Sequence, residues 1–195
     1  MIIFEHKRIL IVTPPHTASR SLHIGCCKAG GIYAVGPDSD GVFSHHYSKV
    51  PVEFNDCRIA VVVRHPFDRL VGLFVHHSDW MVEQGWSPLP WWLFVAQVLQ
   101  GHKDLSWLYK TTINDWIGAT NPTDVIRYEL LEADLEGLLG EVVDIPKVAT
   151  PRGLMTEPRN WSEFVEQKEL LLQVEYWGRD DMVRWGYSTR NQQPF

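Results

Sequence analysis

The stretch Cys57–Val63, "CRIAVVV", constrains the fold more than any other part of the chain. From Ile59 onward it is an unbroken apolar run rich in β-branched side chains. A strand of that kind is buried on both faces, as strands of parallel sheets are. It stops at Arg64-His65-Pro66, and Pro66 suits the first turn of a helix. The following residues, Phe67, Leu70, Val71, Phe74 and Val75, have helical apolar spacing.

The same strand-to-helix passage occurs earlier. Lys7–Val12 predicts a buried strand closed by Pro14, and the whole N-terminal run "MIIFEHKRILIV" reads as a first strand rather than a signal peptide. A helix follows from Ser19 to about Lys28, ended by Gly30-Gly31. "GIYAVG" predicts a second short strand. "LPWWLFVAQVLQG" and "DLSWLYKTTINDWIG" predict two further helices. "TDVIRYELL" predicts a strand, "EADLEGLLGEV" a helix, and the segment from Trp161 to about Gly186 is mostly helical. Strands alternating with helices predict an α/β fold, with a mostly parallel sheet flanked by helices. No linker or repeat divides the 195 residues, so residues 1–195 are expected to form a single domain.

Totals exclude several classes. The chain carries 24 acidic and 18 basic residues, a net charge of −6, so a general nucleic-acid footprint is missing. An anionic ligand must be held by a local cationic site. No run of 18 apolar residues predicts a membrane span. Three Cys (Cys26, Cys27, Cys57) give no disulfide framework, and a reduced, cytoplasmic location is expected.

Two strand-to-helix turns point to anion binding. The first is "TPPHTASRSL", Thr13–Leu22. A helix beginning near Ser19 turns unpaired N–H groups and its positive pole toward the preceding loop. Thr17, Ser19 and Ser21 add hydroxyls, and His16 and Arg20 add charge. An ordinary helix cap by Ser19 or Ser21 is the alternative. The second turn is "VVVRHPFDRL", where Arg64 stands at the carboxyl end of a strand, the edge on which open α/β sheets collect ligands. Its planar fork suits phosphate. The alternative is a surface pair of Arg64 or Arg69 with Asp68. In a parallel sheet both turns open on one edge, so one ligand with two anionic groups can touch both. The usual nucleotide-hydrolase loop, G-x-x-x-x-G-K-[ST], is missing, and the strand that would end in a metal-holding Asp ends in Arg64 instead.

These segments resemble those of the sulfotransferases that use 3′-phosphoadenosine 5′-phosphosulfate (PAPS), most closely the carbohydrate sulfotransferases. "TPPHTASRSL" is similar to the family's 5′-phosphosulfate loop, and "VVVRHPFDRLVGLF" to its 3′-phosphate motif. "VIRYELLEADLEGLL" and "YWGRDDMVRWGYS" resemble two downstream segments of the family. The resemblance implies a P-loop-like α/β fold and transfer of a sulfuryl group from PAPS to an acceptor hydroxyl of a carbohydrate or small molecule. No metal, nucleic acid or membrane span is expected in this reaction. By position it implies that His16, Thr17, Ala18, Ser19, Arg20 and Ser21 surround the 5′-phosphosulfate and that Arg64 holds the 3′-phosphate. Arg152 or Arg159, in "TPRGLMTEPRNW", would support it. His16 stands where the family has Lys, and Gly72 where it has a second phosphate-binding Ser. A protonated His16 serves there if the bound anion raises its pKa.

The acceptor hydroxyl needs a base, and His is suited to that near neutral pH. His46 and His45, between the two turns, are the candidates, with Glu53 and Asp56 as substitutes. His76, His77 and His102 are expected on helix surfaces. Trp80, Trp86, Trp91, Trp92 and Trp107 are expected mostly in the core, with some available to stack on an acceptor. Two other readings stay open, a P-loop-fold nucleotide or small-molecule kinase and a catalytically silent nucleotide-binding protein.

Overall fold

The structure, a computed structural model, describes residues 1–33, 50, 52–101, 111–118, 120–146 and 168–187. They fall into two compact units. One comprises Met1–Arg64 and Asp115–Val148, the other His65–Asn114 and Ala149–Phe195.

The first unit holds a five-stranded sheet. Its strands are β1 (Ile2–Phe4), β2 (Ile9–Val12), β3 (Ile32–Tyr33), β4 (Arg58–Val63) and β5 (Asp124–Arg127), in the spatial order β3-β1-β2-β4-β5. The sheet is mixed, which corrects the expectation of a mostly parallel one. β2 with β4 and β4 with β5 pair in parallel, whereas β1 runs antiparallel to both β2 and β3. The difference arises in the first twelve residues. The expected single strand is a hairpin, broken by a 3-10 turn at Glu5–Lys7 and by Arg8 in the left-handed region (φ 52°). The charged Glu-His-Lys-Arg stretch makes that turn, and Ile2–Phe4 folds back onto Ile9–Ile11.

Helix α1 (Ser19–Lys28) follows β2 as expected. The Ile9, Ile11, Ala60, Val62 and Ile126 side chains share one core with Leu22 and Cys26 of α1 and with Leu135 and Leu138 of α5 (Leu131–Leu139). The alternate positions Leu10, Val12, Val61 and Val63 are buried as well. Both faces of β2 and β4 are thus covered, which is why these strands read as continuous apolar runs rather than alternating ones.

The second unit is helical. α2 (Pro66–Glu83) starts with Pro66 in its first turn, and α3 (Trp91–Leu99) follows. α6 spans Lys168–Trp177 and α7 spans Arg179–Trp185, and the unit also holds Ile113 and Asn114, the first two residues of the short helix α4 (Ile113–Ile117). Phe67, Leu70, Leu73, Phe94, Val95 and Val174 form this unit's core. Gly178 breaks the expected C-terminal helix between α6 and α7. A Cβ there would lie 2.5 Å from the Pro66 Cβ, so only glycine permits that approach. Asp181 is buried, and its carboxylate accepts hydrogen bonds from the N–H groups of Ile113 (2.7 Å) and Asn114 (2.8 Å) at the start of α4.

No helix among the described residues is long and apolar enough to cross a membrane. All three cysteines are free thiols. Burial, and then the neighbouring Cys27, push the Cys26 thiol up to about 12.

Candidate anion site at the sheet edge

In the first unit, β2, β4 and β5 end on one edge. Registers fix what meets there. Val12 pairs with Val61, and Val63 with Arg127. Carried three steps past the last pair with β2 and one step past the last pair with β5, these registers bring Arg64 level with Pro15 on one side and Tyr128 on the other. The contacts follow. Arg64 Nη1 donates to the His16 carbonyl at 3.3 Å, and its guanidinium carbon lies 4.1 Å from the centre of the Tyr128 ring. The two turns singled out in the sequence therefore meet. Arg64 Nε is buried and has no hydrogen-bond partner among the described residues.

The loop between β2 and α1 is held in an unusual shape. His16 (φ 62°) and Ala18 (φ 63°) are left-handed, and Thr17 between them is not. A non-glycine residue in this region costs about 1–2 kcal/mol. Such strain persists only where the surroundings impose it, and it gathers at functional sites. Here Pro14-Pro15 stiffens the entry. The fully buried Thr17 donates its Oγ1 proton to the Pro14 carbonyl at 2.7 Å. That hydroxyl proton is spent on the loop's own shape. Turns that place left-handed residues close together are among those that gather backbone N–H groups into a concavity for anions.

Ala18 is the N-cap of α1. No side chain caps this helix and no acid stands in its first turn. Neither Ser19 nor Ser21 takes the capping role that the simpler expectation assigned them. The buried Ser19 and half-buried Ser21 flank the exposed Arg20. A cation in the first turn opposes the helix dipole by about 0.3–1 kcal/mol. The edge is thus positive on both counts. Beneath the loop, Thr13 Oγ1 lies 3.3 Å from Nε2 of the buried His23.

The opposite edge differs. At the amino ends of the strands stand three ion pairs among the described residues: Arg8 with Asp56, Lys7 with Glu141 (2.7 Å), and Arg58 with Asp124 (2.7 and 2.5 Å). The hydrogen bond from Arg58 holds the Asp124 carboxyl below its ordinary range. At the carboxyl edge, Arg20 and Arg64 form no ion pair among the described residues. Arg69 is buried and donates to the Thr111 carbonyl at 2.7 Å.

Other candidates separate from this edge. Asp56 and Glu53 precede β4, at its amino end, which removes them as substitute bases for a reaction at the carboxyl edge. Gly72 lies inside α2 in the second unit. His76 is exposed as expected, but His77 is buried against Phe94 (5.3 Å between rings), a correction. Trp80, Trp86 and Trp92 are exposed rather than in the core. His45, His46, His102, Trp107, Arg152 and Arg159 lie outside the described residues. Tyr128 was not anticipated, because its place beside Arg64 follows from strand pairing. The one available hint was its position just past the strand "DVIR".

Among the described residues, no group of three or more His, Cys, Asp or Glu gathers as a metal site. No protein-family model matches the chain, and neither curated proteins nor solved structures give a match.

Proposed function

We propose that the chain is a PAPS-dependent sulfotransferase on a P-loop-like fold, which moves a sulfuryl group to a hydroxyl of a carbohydrate or small molecule. One observation carries this reading. Cations at the amino edge of the sheet are in ion pairs, whereas Arg20 and Arg64, at the carboxyl edge beside a helix start with no side-chain cap, form no ion pair among the described residues. Such an edge is suited to a ligand with two separate anionic groups. The buried Arg64 Nε, which has no hydrogen-bond partner among the described residues, fits the same account, since a phosphate oxygen would complete it.

The roles divide by position. Backbone N–H groups of residues 16–21 and the α1 dipole receive the 5′-phosphosulfate. Ser19, Ser21 and Arg20 add donors there, and His16 takes the place of the family's Lys. Arg64 receives the 3′-phosphate, held in place by Tyr128, with Arg152 or Arg159 in support. PAPS supplies an activated sulfuryl group whose departure builds negative charge on a phosphate oxygen. Preorganised donors aimed at that oxygen lower the barrier. His46, or His45 beside it, takes up the acceptor's hydroxyl proton, a role worth roughly 10²–10⁴-fold in rate. A reduced, cytoplasmic setting suits three free thiols.

Radiolabelled sulfate transfer from PAPS to a panel of hydroxyl acceptors tests the reading. The expected result is label in at least one acceptor, lost in His46→Ala while binding of the product nucleotide PAP (3′,5′-ADP) is kept. PAP binding with no transfer to any acceptor would make the chain a silent nucleotide-binding protein. Phosphate transfer from Mg-ATP would make it a kinase.

A further inference from the structure

In the second unit, two indoles stand clear of the core at the end of α2. Trp80 is 42% exposed and Trp86 55% exposed. Their rings meet edge to face, 5.4 Å apart at 85°. The turn beyond the helix fixes this geometry. Gly85 is left-handed (φ 76°), its N–H donates to the Val82 carbonyl (3.0 Å), and the Trp86 N–H donates to the Met81 carbonyl (2.9 Å). That is a Schellman end, in which the residue after the glycine folds back onto the last turns. Any apolar residue at position 86 would complete the motif; an indole half in water exceeds what it needs. Below Trp80, the ring of the buried His77 packs edge-on at 5.8 Å and braces it. The result is a corner, or notch, between two exposed and nearly perpendicular indoles.

The electrostatics of the notch favour a cation. It lies at the negative pole of an 18-residue helix whose last turn has no basic residue. No Lys or Arg occurs in the sequence between Arg69 and Lys103. Aromatic faces attract cations through the ring quadrupole, most strongly where the cation is weakly hydrated.

We propose that the Trp80–Trp86 notch binds a small quaternary ammonium compound lacking an anionic group next to its cation. A phosphocholine headgroup is disfavoured, since its phosphate would face the same negative helix end. The site is independent of the sulfuryl-transfer reading and stands or falls without it.

Ligand-observed NMR on the full chain, with choline as probe, tests the proposal. Its uncharged carbon isostere, 3,3-dimethylbutan-1-ol, and phosphocholine and glucose serve as comparisons. Choline is expected to bind about two- to fivefold more tightly than each of the three. Trp86→Leu keeps an apolar residue on the Schellman turn but removes the aromatic face, so it is expected to lose choline binding. Trp80→Leu should do the same, with unchanged circular dichroism in both variants. Equal binding of choline and its isostere would reduce the notch to a plain apolar patch and overturn the proposal. Preference for glucose, preference for phosphocholine, or full choline binding by both leucine variants would overturn it too.

Discussion

Arg64 illustrates how a single side chain acquires meaning from its neighbours. Its guanidinium rests on the Tyr128 ring and donates one N–H to the His16 carbonyl, while its buried Nε has no hydrogen-bond partner among the described residues. Removing it strips a charge-assisted contact, worth about 1.5–3 kcal/mol. Arg64→Ala should therefore weaken PAP binding roughly 10–100-fold by calorimetry. Arg64→Lys should recover only part of that, because a point charge neither forks nor stacks. Tyr128→Phe keeps the ring and should leave PAP affinity near wild type, whereas Tyr128→Ala should lower it severalfold. Equal affinities in the Phe and Ala variants would deny Tyr128 its positioning role. The cationic candidates of the first unit were legible in the sequence, because strand-then-turn patterns carry local chemistry. Tyr128 was not, because no spacing along the chain tells which strands lie side by side.

At the scale of elements, α2 joins burial to titration. His77 sits inside its buried face, and burial, followed by the nearby His76, lowers its pKa from the ordinary 6.5. A folded-state pKa below the unfolded one means that the unfolded chain takes up the proton first. Stability should therefore fall as pH drops below about 6.5 and level off below the folded-state pKa. Thermal melts from pH 7.5 to 5 should show this loss, flattened in His77→Phe; an unchanged slope in that variant would place the titration elsewhere. Where α6 meets α7, Gly178→Ala would drive a Cβ to 2.5 Å from that of Pro66. Overpacking of this kind costs about 1–3 kcal/mol, visible as a lowered urea midpoint with an unchanged slope. Helical spacing revealed α2, α3 and α5 in the sequence, since their apolar periods are long. The β1–β2 hairpin stayed hidden. Its two arms are only Ile2–Phe4 and Ile9–Val12, and the turn that separates them relies on a left-handed Arg8 rather than on glycine. That hairpin is also what makes the sheet mixed.

For the molecule as a whole, the strand-and-helix alternation gave the α/β class, while the division into two compact units left no trace in composition. A polar or glycine-rich linker marks a boundary in sequence; here the chain passes from Arg64 to His65, out of a buried strand and into a helix, with no linker between. With a net charge of −6, the molecule repels anions at long range, so affinity for a doubly anionic nucleotide must come from the local edge. Calorimetric titration of the full chain with PAP, in a chelator and then with Mg-ATP in its place, tests that claim most directly. The account predicts metal-independent binding of PAP, tighter than that of Mg-ATP and weakened by Arg64→Ala. No binding of PAP in chelator, or PAP affinity untouched by that substitution, would contradict it.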